Sequence, residues 1–300
     1  MYLTTNEESL RVYEALASGV RLRIIELLDR REMTIMELAD ELGLSNAMAS
    51  THVAKLQKAG LVGSRMRRIE GATYKFCSLT ADFLQIKLSG ALPIARKVVE
   101  LSIPVGHYSA FEAHPTCGLA TVDRLIGYYD DPRFFADPEH VHAGILWFGK
   151  GFVEYTLPNY LYQDQVIQEM EISMELGSEA PHVNEKWPSD LNFSLNGTEL
   201  GVWTSPGDFG KERGRLTPTW WHPDVNQYGM LKVLRINAKG TFMDGQQMST
   251  VTLQDIDWET NHWRLRLTAE PAGRRRGGMT LFGRGFGNYD QDIFVRIYHE

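Results

Sequence analysis

The sequence predicts an α+β multidomain protein: an N-terminal winged helix-turn-helix followed by an antiparallel β-sandwich of jelly-roll type. Three observations carry that expectation. Residues 34–59 repeat their apolar side chains at helical spacing on either side of a glycine, and an Arg-rich segment with the look of a hairpin follows them. Beyond Leu92-Pro93 the apolar residues alternate with polar ones instead, in many short runs separated by Gly, Pro, Asn and Asp. The change of period marks the domain boundary, with units expected at 1–92 and 93–300.

In 34–42, Ile35, Leu38, Ala39 and Leu42 make one apolar helix face. Gly43 permits the tight turn after it, because a left-handed backbone suits glycine. Ser45 can cap a second helix over 45–59 by accepting from a first-turn N–H, and Ala49, Val53 and Leu56 give that helix its core-facing stripe. Its opposite face carries Asn46, Ala47, Ser50, Thr51 and Ala54. These short side chains let a helix sit deep in a major groove and still present amide and hydroxyl groups to base edges. The hairpin adds Arg65, Arg67, Arg68 and Lys75 for phosphates, and Lys55 adds another cation. Double-stranded operator DNA is therefore the expected partner, contacted by Ser45, Asn46, Ala47, Ser50, Thr51, Lys55 and the four hairpin cations.

Within residues 45–80, six Lys or Arg stand against one acid, Glu70. A merely solvated basic face would look similar, but the helix pattern beside it favours nucleic acid. Residues 1–80 carry 11 basic and 10 acidic groups, the remainder 20 and 28, so the net charge of −7 originates in the C-terminal part. DNA should repel such a body, which is expected to project away from it. The composition, 43% hydrophobic and 23% charged over 300 residues, is that of soluble globular domains. No apolar stretch approaches the ~20 residues of a membrane helix, and the N-terminus lacks a basic and apolar leader, so a cytoplasmic location without a membrane partner is expected. Two cysteines, Cys77 and Cys117, make no disulfide framework and read as packing residues.

The runs Val20-Arg21-Leu22-Arg23-Ile24-Ile25-Glu26-Leu27-Leu28, Glu37-Leu38-Ala39 to Leu42-Gly43-Leu44-Ser45, and Ser50-Thr51-His52-Val53-Ala54-Lys55-Leu56 to Ala59-Gly60-Leu61-Val62 resemble the ArsR family of bacterial transcription regulators. The resemblance covers about the first 80 residues. It implies a homodimer that grips a pseudo-palindromic operator, acting as a repressor until an effector arrives, and pairing through a first helix over 6–18 and a helix after the wing over 80–89. The chain departs from the metal-sensing members, which carry cysteines in the first helix of the motif. Thr34-Ile35-Met36-Glu37-Leu38-Ala39 has none, which excludes metal sensing at that position, and no cofactor is expected.

In the second domain, Met170, Ile172, Met174 and Leu176 alternate with Glu169, Glu171, Ser173 and Glu175, and Trp263, Leu265 and Leu267 alternate with Arg264, Arg266 and Thr268. Further strands are expected at 98–104, 142–148, 152–157, 191–195, 199–204, 230–236, 248–253, 279–282 and 293–298. Asn196-Gly197 suits a type I′ hairpin turn, whose central residues both need positive φ. Alternation then puts Leu191, Phe193, Leu195, Leu200 and Val202 on the core face and Trp203 on the other. This hairpin resembles those of galactose-binding-like and carbohydrate-binding jelly rolls.

Two loops follow it, 205–215 and 217–229. They gather Asp208, Arg213, Trp220, Trp221, His222, Asp224, Asn226, Gln227 and Tyr228. Flat rings beside planar polar groups are what a sugar site uses, although tryptophans that plug the end of a sandwich would read the same way. Near the C-terminus, Gly283, Gly285 and Gly287 lack the strand-then-helix context of a dinucleotide loop. They read as a bulged strand end or loop that offers Arg284, Asn288, Tyr289 and Asp290. The expected effector set is thus Trp203, Asp208, Arg213, Trp220, Trp221, His222, Tyr228, Arg284, Asn288, Tyr289 and Asp290. Arg274-Arg275-Arg276 could meet an anion or DNA, or simply line an exposed loop.

An alternative is a metal-dependent cupin-like enzyme or sensor fused to a DNA-binding module. His140-Val141-His142 has the cupin pair, but its next acid, Glu154, is too far along, and nothing near His114 and Cys117 completes a tetrahedral set. With no nucleophile elbow and no distinctive acid and base pair, the second domain is expected to sense rather than catalyse.

Overall fold

The computed structural model describes residues 1–69, 72–81, 84–87, 97–269, 275 and 277–300. The chain divides into two compact units, Met1–Ile94 and Ala95–Glu300.

In the first unit, β1 (Tyr2–Thr4) leads into α1 (Glu7–Leu16), capped by Asn6, whose side-chain oxygen accepts from the Ser9 N–H at 3.0 Å. Then come α2 (Gly19–Arg30), β2 (Met33–Thr34), α3 (Ile35–Leu42), α4 (Asn46–Lys58) and the hairpin of β3 (Val62–Ile69) and β4 (Ala72–Leu79). Thr34 and Glu37 form a reciprocal capping box at the start of α3. At its end Gly43 takes φ 63°, and the Leu44 N–H returns to the Ala39 carbonyl at 2.9 Å. The Ser45 hydroxyl accepts from the Met48 N–H at 3.3 Å, so both ends of the turn are specified locally. Val12, Ile24, Leu28, Leu38, Val53, Leu56 and Cys77 close the core beneath.

One expectation from the resemblance fails here. Of the helix implied over 80–89, Thr80, Ala81 and Leu84 are not helical and Gln85–Lys87 form β5, which pairs in parallel with β1, Leu3 opposite Ile86. β1 is anchored by its buried Leu3 and presents an open edge. Pairing there satisfies backbone groups, a tertiary gain that overrides a weak local preference. Residues 82, 83, 88 and 89 lie outside the described residues, as does the Leu92-Pro93 boundary.

The second unit is an antiparallel sheet that folds over one core. In chain order its strands are β6 (Lys97–Ile103), β7 (Tyr108–Ala120), β8 (Leu125–Ile126), β9 (Ile145–Pro158), β10 (Ile167–Gly177), β11 (Ser189–Leu195), β12 (Thr198–Ser205), β13 (Met230–Asn237), β14 (Gly240–Met243), β15 (Gln246–Ser249), β16 (His262–Ala269), β17 (Met279–Phe282) and β18 (Ile293–His299). One half runs β12-β11-β16-β9-β7, the other β6-β18-β10-β13-β14-β15. β17 joins them by pairing with the first residues of β9 and the last of β10. Phe193, Leu195, Leu265 and Leu267 from one half and Ile172, Leu234, Val295 and Ile297 from the other share a single apolar cluster, which is sandwich packing.

Several strand expectations need correction. The strands expected at 142–148 and 152–157 are one, β9, because Gly149 and Gly151 continue it. At Gly151, with φ 132°, a Cβ would stand 1.8 Å from the Glu112 carbonyl oxygen, so the glycine admits a neighbouring backbone and does not end the strand. His142 instead closes a short 3-10 turn, Pro138–His142. The strand expected at 248–253 stops at Ser249, and Thr252 caps a 3-10 turn, Leu253–Asp255. β7 was not expected, because Pro115 and two register shifts against β9 obscure its alternation.

The Asn196-Gly197 turn has positive φ at both residues, 51° and 82°. Beyond it the expected phase inverts. Phe193 faces Gly201 and Ser194 faces Glu199, leaving Leu200 as the extra residue of a β-bulge. Val202 is consequently 50% exposed, while Trp203 packs against the core.

Candidate functional site

The first candidate surface is built on α4. Ala49, Val53 and Leu56 are buried, while Asn46, Ala47, Ser50, Thr51, Ala54 and Lys55 are exposed on the other side. The Thr51 hydroxyl donates to the Ala47 carbonyl at 2.9 Å, so outward it offers a methyl group and an oxygen lone pair. On the hairpin, register divides the cations between two faces. Arg65 lies opposite Phe76 and Arg67 opposite Tyr74, whereas Arg68 lies opposite Thr73 and Lys75 opposite Met66. The Arg68 and Lys75 face is also that of Ser64, whose hydroxyl accepts from the Gln57 side chain of α4 at 3.0 Å. Arg65 and Arg67 both reach Glu32, at 2.5 and 3.3 Å.

The second candidate surface covers the strands at the junction of the two β halves. Ile145, Leu146, Trp147 and Phe148 are all buried, as are all four residues of β17, so these segments are covered on both faces. The outer cover is the loop layer 205–229 with the glycine-containing turn after Phe282. Trp221, 1% exposed, packs edge to face on Phe286 at 5.2 Å and on Trp147 at 5.6 Å. The Leu216 N–H donates to the Gly287 carbonyl at 2.8 Å, and the Arg215 N–H donates to the Asn288 side chain at 2.9 Å. Arg213 donates to the Pro218 and Trp221 carbonyls at 2.6 and 3.2 Å, and Tyr228 stacks on Phe209 with ring centroids 5.4 Å apart.

Beneath this cover lie carboxylates. Glu175 accepts from the Gly229, Asn288 and Tyr289 N–H groups at 2.8, 2.9 and 3.1 Å, which fastens both loops to the end of β10. A Cβ on Gly287, where φ is 71°, would stand 2.4 Å from those carboxylate oxygens, so the close approach requires glycine. Burial pushes Glu175 up to about 7 against the pull of the three N–H donors. Asp208 also rises to about 7 through burial. Burial and the charge of Asp208 hold Glu179 well above the carboxylate range, although the Asn226 amide donates to it at 3.0 Å. Asp208 Oδ1 and Gln227 Oε1 are buried without a hydrogen-bond partner among the described residues.

The structure thus brings Asp208, Arg213, Trp220, Trp221, His222, Tyr228, Asn288 and Tyr289 into one layer, but with unequal access. Asp208 and Trp221 are interior groups. Trp220 is 42% exposed, with its ring held by an indole N–H bond to the Val122 carbonyl at 2.6 Å. Arg213, His222 and Asp290 are exposed, and so is Arg284 beside Asp292. Trp203 stands apart, with the Lys232 ammonium 4.8 Å from its ring centroid. An open cleft of about 480 Å³ lies at the edge of the layer between His182, Val183, Gly210, Lys211, Pro223 and Asp224.

Glu175 and Glu179 escape sequence reading. Glu175 has the solvent phase of an alternating strand, and only the covering loops bury it. Arg275 is exposed and donates to the Thr204 hydroxyl at 3.2 Å, while Arg274 and Arg276 lie outside the described residues. The cupin pair is not gathered with further ligands among the described residues. His140 bonds the Gly106 carbonyl and stacks on Tyr108, Glu154 pairs with Arg266, and no group of three potential ligands is assembled among the described residues. No helix among them is long and apolar enough to cross a membrane.

The fold and exposed α4 face of the first unit define a winged helix-turn-helix protein. The profile of the bacterial regulatory protein arsR family matches residues 18–64. An uncharacterised HTH-type transcriptional regulator of Methanocaldococcus jannaschii is 39% identical over 71 residues, spanning 21% of this chain and 75% of the relative. The chain belongs to the arsR family of bacterial regulatory proteins. Among solved structures it is similar to HlyU from Vibrio cholerae, at 30% identity over 25% of this chain and 76% of that one, with a TM-score of 0.22. It is also similar to NolR from Sinorhizobium fredii, at 32% identity over 25% and 72%, with a TM-score of 0.23.

Proposed function

We propose that the protein is a one-component transcriptional regulator that binds operator DNA as a homodimer and acts as a repressor. The observation that carries this reading is the exposed row Asn46, Ala47, Ser50 and Thr51 on a helix capped by Ser45 and followed by a basic hairpin. The row reads bases, while Lys55, Arg65, Arg67, Arg68 and Lys75 hold phosphates. Selection of bound duplexes from random-sequence DNA tests the reading. A two-fold symmetric consensus is expected, and recovery of unselected sequence would overturn it.

The β unit receives a small polar effector, of carbohydrate class, at the loop layer. Support comes from the fixed and exposed Trp220 ring in the layer that also carries Arg213, His222 and Tyr228, with Arg284 exposed on the turn after Phe282. Trp221 and Asp208 support the layer from within, Trp203 stands apart from it, and none of the three touches the effector. Effector control requires unequal affinity for the DNA-competent and incompetent states. Titration of simple sugars and sugar phosphates, read by tryptophan fluorescence and by release of the selected duplex, tests this assignment. A response to another metabolite class with none to sugars rejects the sugar.

A further inference from the structure

The flank of the hairpin holds an acid where an anion seat would be expected. β2 pairs with β4, Met33 opposite Cys77 and Thr34 opposite Phe76, and this fixes the preceding residue, Glu32, beside the hairpin. Arg65 and Arg67, two positions apart on β3, share the face turned toward it. Both close on one oxygen. Arg65 Nη2 donates to Glu32 Oε2 at 2.5 Å, and Arg67 Nη2 donates to the same atom at 3.3 Å. The Arg67 guanidinium also lies 5.0 Å from the Phe76 ring centroid. The three charged side chains keep 59%, 47% and 31% of their surface exposed for Arg65, Arg67 and Glu32, so an incoming anion can reach them.

One carboxylate oxygen shared by two guanidinium groups has the geometry of a phosphate oxygen held between two arginines. We infer that Glu32 occupies the seat of a DNA backbone phosphate in the unbound protein, holding Arg65 and Arg67 on a common point until phosphate displaces it. The inference rests on the DNA-binding reading above. Exposed ion pairs contribute little to stability, so the bridge matters little to the fold. In binding, however, its loss offsets part of the gain from each new phosphate contact, and the expelled carboxylate repels the backbone. No base is involved. Glu32 therefore restrains affinity for every sequence, which lowers sequence-independent retention on DNA and leaves discrimination to α4.

The test compares the full-length wild type, Glu32→Gln, Arg65→Ala with Arg67→Ala, and Glu32→Gln combined with both. Each is titrated with a duplex selected from random-sequence DNA by the wild type and with poly(dI-dC), over roughly 50–200 mM salt. Glu32→Gln should bind both about 5- to 20-fold more tightly at the low-salt end, with a salt slope steeper by about 1 and unchanged thermal melting. The triple variant should bind no more tightly than the variant lacking the two arginines alone, so that the gain is lost with them. Unchanged or weaker binding by Glu32→Gln overturns the inference, and so does a gain that survives removal of both arginines. A wild type that binds neither DNA overturns the DNA-binding reading and this one with it, whereas a wild type that binds beside an indifferent Glu32→Gln overturns this one alone.

Discussion

The two units place their chemistry in opposite ways. On α4 and the hairpin the candidate groups stand outward on a scaffold specified by neighbours, with Thr34 and Glu37, Gly43, and Ser45 each acting within a few positions. At the β junction the distinctive groups are interior, and they meet across long stretches of chain. Glu175 holds Gly229 from 54 positions away and Tyr289 from 114. The first arrangement presents a surface ready for a large, regular partner. The second makes a polar interior closed by loops, in which burial sets the charge of the carboxylates.

The largest effect should come from removing the interior of the loop cover. Trp221→Ala empties a fully buried aromatic site and should cost the β unit about 3–5 kcal/mol, lowering its unfolding transition while the N-terminal unit melts as before. Simultaneous movement of both transitions would break the comparison, since it would show that the units do not unfold separately.

Protonation comes next. Glu175 and Asp208 sit at about 7, above the values near 4 of exposed carboxylates, so the folded β unit keeps protons that the unfolded chain releases. The stability they contribute is complete below about pH 4, declines as pH rises through about 7, and is level beyond it. Asp208→Asn, uncharged throughout, should make the fall in melting temperature of the β unit between about pH 5 and pH 8 shallower, leaving the share of Glu175, and raise the melting temperature at the alkaline end. A wild-type profile already flat over that range would show that these carboxylates are ionised inside the fold.

The DNA surface should yield smaller and more selective losses. Ser50→Ala or Thr51→Ala should cost about 1–3 kcal/mol on a selected operator and little on unrelated DNA. Arg68→Ala or Lys75→Ala should weaken binding to both and reduce the salt slope by about 1 each. Equal losses from all four on any duplex would remove the distinction between readers and phosphate clamps. The smallest change is expected at Val202→Ser, within about 0.5 kcal/mol by chemical denaturation. A loss of several kcal/mol there would contradict the bulge that turns Val202 outward.

Much of the N-terminal unit was legible because its determinants are local and periodic, including the caps, the left-handed glycine and the exposed row of α4. Strand β5 was not, since nothing in Gln85-Ile86-Lys87 announces the open edge of β1. In the β unit the strands around Met170 to Leu176 and Trp263 to Leu267 were readable, as was the Asn196-Gly197 turn. The continuity of β9 through Gly149 and Gly151 was hidden, because a glycine that ends a strand and one that admits a neighbour look alike in sequence. The list of loop residues located the covering layer but could not separate its exposed member Trp220 from its buried member Trp221.

By itself the sequence determined the two-unit plan, the helix-turn-helix and the basic hairpin, which rest on patterns repeating over three to four residues or two, and it carried the motifs that resemble the arsR family. Only the tertiary structure decided that Glu32 sits between Arg65 and Arg67, that a bulge turns Trp203 inward, and that Glu175, Glu179 and Asp208 lie beneath a loop cover. Those facts depend on which distant backbone comes to lie over a given side chain. Burial, and with it the protonation of a carboxylate, is a property of that neighbour and leaves no periodic mark on the chain.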